Sequence, residues 1–529
     1  MNSTPVCSAQ RLRVAVHVDG FVQPRWIHRI VEDIVASSGC EVTVISIAGA
    51  APPPHPSSLA RRVVAEPRHA LLTAFMALDD RAFGRPDDAL QPVDLRTLFG
   101  GRAPTGATQG PLDVVLSFGR AAVPGALSSR SRHGVWTLHF GPVPAHDAEL
   151  VGLEEVLRGH GVIVTELRTD DARVLARSVS RADVRSVRRG RNVPLLKCAA
   201  LVSRALRELQ QETSARAHAG SPRFEFRPHV AEGPSRPTNS DMARLLVDHG
   251  LRYARELLHR RSFLQQWVLA YQISPTFPPT SSFRYLVPPA DRFWADPFAA
   301  KRGDRRFILF EDAPFATGRG RISAMELRPD GSPGEAVPVL ERPYHLSYPF
   351  LFRHGGEEFM IPETSQKGGV EVYRARSFPH GWEPFEQMLP NLAAADVTLH
   401  QVGDRWWMFT DVAVAGTRLH NEELHIFHAP SPFGPWTPHR LNPVFSDTRR
   451  ARPAGALFEH GGALYRPAQD SSVRYGWSMT FNRITKLTPD EYEEVDCGRT
   501  LPDWDPRLLS THTLNRDGDL TVIDVQMLR

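Results

Sequence analysis

Apolar and polar positions follow different rhythms in the two halves of this chain. In the first half, short continuous apolar runs predict buried strands at residues 11–18 (Arg-Leu-Arg-Val-Ala-Val-His-Val), 41–47 (Glu-Val-Thr-Val-Ile-Ser-Ile), 113–118 (Asp-Val-Val-Leu-Ser-Phe) and 134–139 (Gly-Val-Trp-Thr-Leu-His). Between the first two, residues 24–37 have the period of an amphipathic helix, with Trp26, Ile27, Ile30, Ile34 and Val35 on one side. Strand, helix, strand of this length is a βαβ unit, so the half reads as an open α/β sheet. Such sheets hold ligands at the carboxyl ends of their strands, which here offer His17, Asp19, Ser117 and His139. Further helices are expected over 195–212 and 241–260, and a strand over 266–271.

In the second half the pattern becomes a repeated hairpin. The first copy is Phe293-Trp294-Ala295-Asp296-Pro297-Phe298, a turn at Gly303-Asp304, then Phe307-Ile308-Leu309-Phe310-Glu311-Asp312. An apolar second strand, aromatic in every copy but the last, and a polar exit recur around turns at Gly355, Gly403, Gly461 and Gly518, at spacings of 52, 48, 58 and 57 residues. A repeat of roughly 40–50 residues holding several short strands is the signature of propeller blades. Five copies predict a five-bladed β-propeller, with the strand at 266–271 joining the last blade to close the ring. The fold class is therefore α/β plus all-β, with domains at 11–218 and 261–529 joined by a linker and helix over 219–260, its first part, 219–239, rich in Pro, Gly, Ser and Arg.

Composition narrows the function classes. Hydrophobic residues make 41% of the 529 and charged residues 23%, which excludes wholesale disorder. Lys and Arg number 63 against 59 Asp and Glu, and no basic block has the character of a nucleic-acid footprint. Cys7, Cys40, Cys198 and Cys497 are scattered, which argues against a disulfide framework or a cysteine zinc site and favours a reducing compartment. No leader and no apolar run of membrane length is visible, so no membrane span is expected and the expected location is cytoplasmic. No cofactor is implied, a glycine-rich phosphate fingerprint is absent, and the histidines form no close metal-ligand pair on a helix face.

The first half, residues 11–210, resembles the formyltransferase domain that uses 10-formyltetrahydrofolate. The resemblance rests on the βαβ start, Asp-Val-Val-Leu-Ser-Phe-Gly and Gly-Val-Trp-Thr-Leu-His. It implies a site in which an amide and an imidazole stabilise an oxyanion while a later carboxylate moves a proton. His139 matches the imidazole, Thr137 stands where the amide is expected, Asp171 or its neighbour Asp170 stands for the carboxylate, and the loop at 140–147 lacks Arg-Gly. The expected outcome is a vestigial, non-catalytic formyltransferase site.

In a propeller the blade starts converge on a central channel. They offer Trp294, Asp296, His345, Tyr348, Asp396, Arg452 and His512, and the ends of the second strands add Glu311, Asp312, Glu363, Asp411, Gln469 and Asp470. Aromatic faces, carboxylates and planar donors suit a polyhydroxylated ligand. The strings Phe-Trp-Ala-Asp-Pro-Phe, Tyr-His-Leu-Ser-Tyr-Pro-Phe, Ile-Pro-Glu-Thr-Ser and Ala-Arg-Pro-Ala-Gly resemble the N-terminal domain of glucosamine inositolphosphorylceramide transferases. More broadly the repeat is similar to the propeller of arabinanase- and xylosidase-type glycoside hydrolases. That second resemblance implies Asp296 as base and Asp396 as its pKa modulator. The acid expected from blade four is missing from Ala451-Arg452-Pro453-Ala454-Gly455, leaving Glu363 as a substitute. Three functions stay open: a carbohydrate-active or carbohydrate-binding protein whose channel holds a glycosyl ligand, with hydrolysis or transfer; a non-catalytic glycan-binding scaffold; and a folate-dependent formyltransferase acting on an amino sugar. The expected partner is a carbohydrate or glycoconjugate, with no nucleic acid.

Overall fold

In a computed structural model of the protein, the described residues are 11–48, 63, 66–83, 89–105, 110–159, 161–215, 236–262 and 264–529 apart from 416 and 418. The chain divides into two compact units, residues 1–253 and 254–529.

The first unit is built on one sheet. Its order is Cys40–Ile47, Leu12–Val18, Val114–Ser117, Val135–Phe140, Val162–Thr169, Val174–Arg181. The first four strands run parallel and the last two are antiparallel to their neighbours. Helix Arg25–Ala36 buries Trp26, Ile27, Ile30, Val31 and Ile34. Val31 takes the place expected of Val35, which is exposed because it lies on the far side of the helical turn. Trp26 anchors the helix to the sheet, meeting Phe118 and Phe140 edge-on at 5.6 and 6.0 Å. The expected helices are observed as Val187–Ala215 and Asn239–Ser262. Most of the linker segment lies outside the described residues; of its end, Arg236 pairs with Glu66 at 3.0 Å and Asn239 donates to the Pro67 carbonyl.

The second unit is a five-bladed β-propeller. Blades one to four are the sheets starting at Arg292–Arg302, Ser347–His354, Ala394–Val402 and Phe458–His460, each four strands deep in sequence order. Blade five is composite. Leu514–Asp517 and Leu520–Leu528 form its inner hairpin, and Leu508–Ser510 also pairs with Leu520–Leu528. Gln265–Ile273 pairs antiparallel with that strand from Gln265↔Leu528 to Ile273↔Leu520, and Arg284–Leu286 completes the five-stranded sheet. The closure strand thus lies where the sequence predicted it. Consecutive blades bury apolar faces against each other: Phe298, Tyr348, Phe350, Phe359 and Leu399 share one cluster across blades one to three. Each such side chain stabilises the ring by roughly 1.5–3 kcal/mol. On the hairpin-turn side, Arg302 joins Glu358 of blade two and Arg306 joins Asp519 of blade five, stapling blade one to both neighbours.

The other rim depends on a recurring backbone device. Register slips between Ala295 and Phe298, Ser347 and Phe350, and Ala395 and Thr398, so each inner strand carries a bulge at the same point. Asp296, Tyr348 and Asp396 occupy those bulges with φ of 50°, 42° and 55°, left-handed values that cost a non-glycine residue about 1–2 kcal/mol each. In blade four the register slips between Pro453 and Phe458, and Gly455 within that slip has φ of 129°. A Cβ there would lie 2.0 Å from the Leu514 carbonyl oxygen, so only glycine fits. At the hairpin turn of blade three, Gly403 has φ of 62° but nothing within 4 Å of a built Cβ. We therefore expect Gly403→Ala to cost about 1–2 kcal/mol and Gly455→Ala more than about 3 kcal/mol. Urea denaturation of the full chain checks the order; equal losses would show that the blade four–five contact gives way freely.

Candidate functional site

The bulges turn Asp296 and Asp396 towards the propeller axis, and the second strands bring carboxylates to the same rim. Asp296, Glu311, Glu363, His345, Arg452 and His512 line one cavity of about 310 Å³. Each of these six was expected at a channel from the sequence. Trp267, Phe293, Ser347, Ser365, His420 and Tyr475 line it too and were not expected there.

Asp296 is tied into blade five on several sides. Its Oδ1 accepts the Thr513 hydroxyl at 2.8 Å and lies 3.4 Å from His512 Nε2, while its backbone N–H donates to Asp524 Oδ2 at 2.9 Å. Asp524 also accepts the N–H groups of His512 and Thr513, both at 3.0 Å, and its Oδ2 stands 2.8 Å from His512 Nδ1. Burial pushes the Asp296 carboxyl up to about 6, opposed by His512 and Arg452 and aided by Glu311 and Asp524. Burial would lower His512, but Asp524 and Asp296 outweigh it and hold the imidazolium to about 9. His345 behaves alike: burial is outweighed by Glu311, 3.2 Å away, and it too stays protonated to about 9.

Asp396 is fully buried behind the cavity wall, gripped by Arg452 through Nε at 2.5 Å and Nη2 at 3.0 Å and by Gln469 Nε2 at 3.0 Å. Arg452 is itself fixed by Asn421 Oδ1 at 3.1 Å and lies over the Tyr475 ring at 5.4 Å. The bidentate pair is rigid, so Asp396 and Gln469 act on the cavity through Arg452. Trp267 comes from the closure strand and packs against His512 with ring centroids 4.3 Å apart and planes tilted by 38°.

The structure places the other predicted positions elsewhere. Trp294 donates to Asp312 at 3.3 Å, and Asp312 also takes Arg321 and Ser323, because cross-strand register sets this pair in the body of blade one. Tyr348 is buried under the cavity, its hydroxyl meeting Thr398 at 2.8 Å and accepting the Gly455 N–H at 2.8 Å, which ties blades two, three and four. Asp411 is buried and accepts the N–H groups of Asn421, Glu422 and Glu423. Asp470 caps the Ser472 N–H at 2.9 Å. None of these five lines the cavity.

In the first unit, Thr137 Oγ1 and His139 Nε2 lie 3.1 Å apart, and burial with Arg168 lowers the His139 pKa. Asp171 bonds Thr169 in the turn beyond it. Since Thr169 faces Trp136 and His139 faces Glu166, Asp171 lies on the order of 10 Å or more along the strands from His139. The three are not one site. His17 spends both ring nitrogens on Ser46 and the Ala121 carbonyl, and Asp19 accepts the Arg120 N–H.

Among the described residues, Asp296, His512 and Asp524 are the group whose donor atoms, within 4.8 Å of one another, could hold a metal ion. Asp524 already accepts three backbone N–H groups, and the His512 imidazolium supplies the positive charge a cation would bring.

Residues 281–505 match the family described as glucosamine inositolphosphorylceramide transferase 1, N-terminal. The chain is 37% identical over 206 residues to the glucosamine inositolphosphorylceramide transferase 1 of Oryza sativa subsp. japonica, covering 38% of this chain and 28% of that protein. It is 34% identical over 207 residues to that of Arabidopsis thaliana, covering 39% and 27%. The match thus spans under a third of the length of these relatives. Among solved structures, a family 117 glycoside hydrolase of Zobellia galactanivorans is similar at 13% identity and a TM-score of 0.32, over 50% of this chain and 90% of that one. An alpha-L-arabinanase of Cellvibrio cellulosa is similar at 12% and 0.29, over 38% and 77%. The resemblance to the transferase N-terminal domain holds for the propeller, while Trp267, His512 and Asp524 fall outside the matched segment.

Because His512 is raised above the ordinary histidine value, its stabilising contribution is complete below about pH 6.5 and is lost as pH rises through about 9. His345 contributes in the same window. We expect the wild type to lose up to about 3 kcal/mol for His512 between pH 6.5 and 9.5, and His512→Gln to flatten the profile. Melting temperatures across that range test it; an unchanged slope in the variant would place the titration elsewhere.

Proposed function

We propose that the propeller channel holds a glycosyl group of a glycoconjugate and carries out chemistry at its glycosidic bond, by hydrolysis or transfer. The observation that supports this reading is the convergence of Asp296, Glu311 and Glu363 on one cavity whose wall also carries Trp267, Phe293 and Tyr475. Aromatic faces stack on sugar rings, and carboxylates accept from hydroxyl groups. A carboxyl near pH 6 exchanges its proton near neutrality, which suits an acid–base role for Asp296. The plant relatives carry glucosamine inositolphosphorylceramide in their name. An amino sugar suits this cavity: His345, His512 and Arg452 each sit against a carboxylate. Glu363 accepts the Ser365 N–H at 2.8 Å and is in no ion pair among the described residues, so it is available to an ammonium group.

A second reading, glycan binding without chemistry, draws on the same structure. Asp396 is engaged by Arg452 and Gln469, and blade four offers the cavity Arg452 in place of a carboxyl. The formyltransferase reading would need the first unit, where Thr137 offers a hydroxyl instead of an amide and Asp171 lies away from His139.

Asp296→Asn separates the first two. With the full chain and a panel of aryl glycosides and glucosamine-containing glycans, the catalytic reading expects at least about a hundredfold loss of kcat with a melting temperature close to wild type. The binding reading expects weaker thermal stabilisation by the glycan and no turnover by wild type. A variant that binds and turns over as wild type does would remove the channel from both.

A further inference from the structure

Blade four supplies no acid, yet an ionisable side chain reaches the cavity from the loop after the second strand of blade three. We propose that His420 is the general acid of the channel and that Asp411 is its positioning residue; this rests on the catalytic reading above.

Asp411 is the penultimate residue of the strand Arg405–Val412 and is fully buried. Its two oxygens serve four consecutive residues: His420 Nδ1 at 3.0 Å and the N–H groups of Asn421 at 2.8 Å, Glu422 at 3.1 Å and Glu423 at 3.1 Å. A single carboxylate thereby holds the whole segment that delivers His420 to the cavity wall. Asn421 secures the other side: it adopts φ of 84° and accepts Arg452 Nη1 at 3.1 Å, so the segment is tied to the same guanidinium that grips Asp396. For a loop residue this is heavy restraint, and it ends on an imidazole that lines the cavity and whose Nε2 makes no hydrogen bond among the described residues.

The bond to Asp411 also sets the ring's chemistry. With Nδ1–H given to the carboxylate, Nε2 is the ring nitrogen left to exchange a proton with a ligand. In the step, the Nε2 proton passes to the glycosidic oxygen as the bond from that oxygen to the anomeric carbon breaks, and the bonding pair stays on the oxygen. A water or an acceptor hydroxyl bonds to the anomeric carbon and gives its proton to the Asp296 carboxylate. Solvent returns a proton to Nε2, and Asp296 releases one, which closes the cycle without any other reactant. His420 then occupies the role that Ala454 and Gly455 leave empty, and Glu363 is free to bind the sugar.

The test uses the full chain with 2,4-dinitrophenyl and 4-methoxyphenyl glycosides of hexoses, hexosamines and pentoses. The dinitrophenolate leaves without protonation, whereas methoxyphenolate needs the acid. His420→Asn is expected to lower kcat/KM for methoxyphenyl glycosides about a hundredfold or more and to stay within about threefold of wild type for dinitrophenyl glycosides. Equal losses on both, or none, would overturn the acid role while leaving the glycosidic reading standing. Absence of turnover by wild type on every substrate would overturn both. For Asp411, nitrogen-15 NMR of histidine-labelled protein at a pH where the ring is neutral should show His420 protonated at Nδ1 in wild type and a tautomer mixture in Asp411→Asn; a neutral wild-type ring protonated at Nε2 alone would overturn the positioning role.

Discussion

Pairing of the two ends of the propeller is the constraint on which the channel depends. Gln265–Ile273 lies beside Leu520–Leu528 over its whole length, and without it the last blade would end in an exposed edge. Asp524 sits in the middle of that pairing, opposite Leu269. Its carboxylate leaves the sheet towards the axis, where it accepts N–H groups from His512 and Thr513 of its own blade and from Asp296 of the first. One buried side chain therefore closes the ring and seats the carboxyl at the base of the cavity. Trp267 arrives on the same closure strand and covers His512. The site is assembled from both ends of the unit, and its inner wall exists only once the ring is shut.

Against that closed ring, the bulges decide where chemistry is presented. A regular strand would alternate its side chains between the two faces of each blade. The left-handed residues break the alternation and aim Asp296, Tyr348 and Asp396 inward, a strained arrangement held by cross-blade bonds. Tyr348 uses its position to bind three blades together beneath the cavity, whereas the two aspartates bring charge to it. The same device thus serves as structure in blade two and as site in blades one and three.

Burial then sets the electrostatics. Carboxylates and cations are packed into a small volume where water screens little, and most of them stand against a partner. Asp396 has Arg452, Glu311 has His345, and Asp524 has His512. Asp296 shares His512 with Asp524, and burial, with the nearby Glu311 and Asp524, keeps its pKa raised against that imidazolium. A titrating carboxyl beside two persistent imidazolium groups follows from this uneven matching of charges.

The sequence by itself determined the number of blades, the positions of the hairpin turns and the strand that closes the ring, because these are local: a left-handed turn glycine and an apolar second strand recur with each hairpin. It also placed Asp296, Glu311, Glu363, His345, Arg452 and His512 at blade rims. It could not separate them from Trp294, Asp312, Asp411 and Asp470, which occupy comparable rim positions but turn into the blade or cap a loop. Position along a hairpin is periodic, but the direction of a side chain at a bulge is set by the neighbouring blade, which lies far away in sequence. His420 and Tyr475 come from loops outside the repeat, so no periodic signal pointed to them. Trp267 was legible as part of a strand and illegible as part of the site, because only ring closure brings residue 267 against residue 512. In the first half, the strand pattern was local and readable. The separation of Asp171 from His139 was decided by the antiparallel register of Val162–Thr169, a long-range pairing that no short motif encodes.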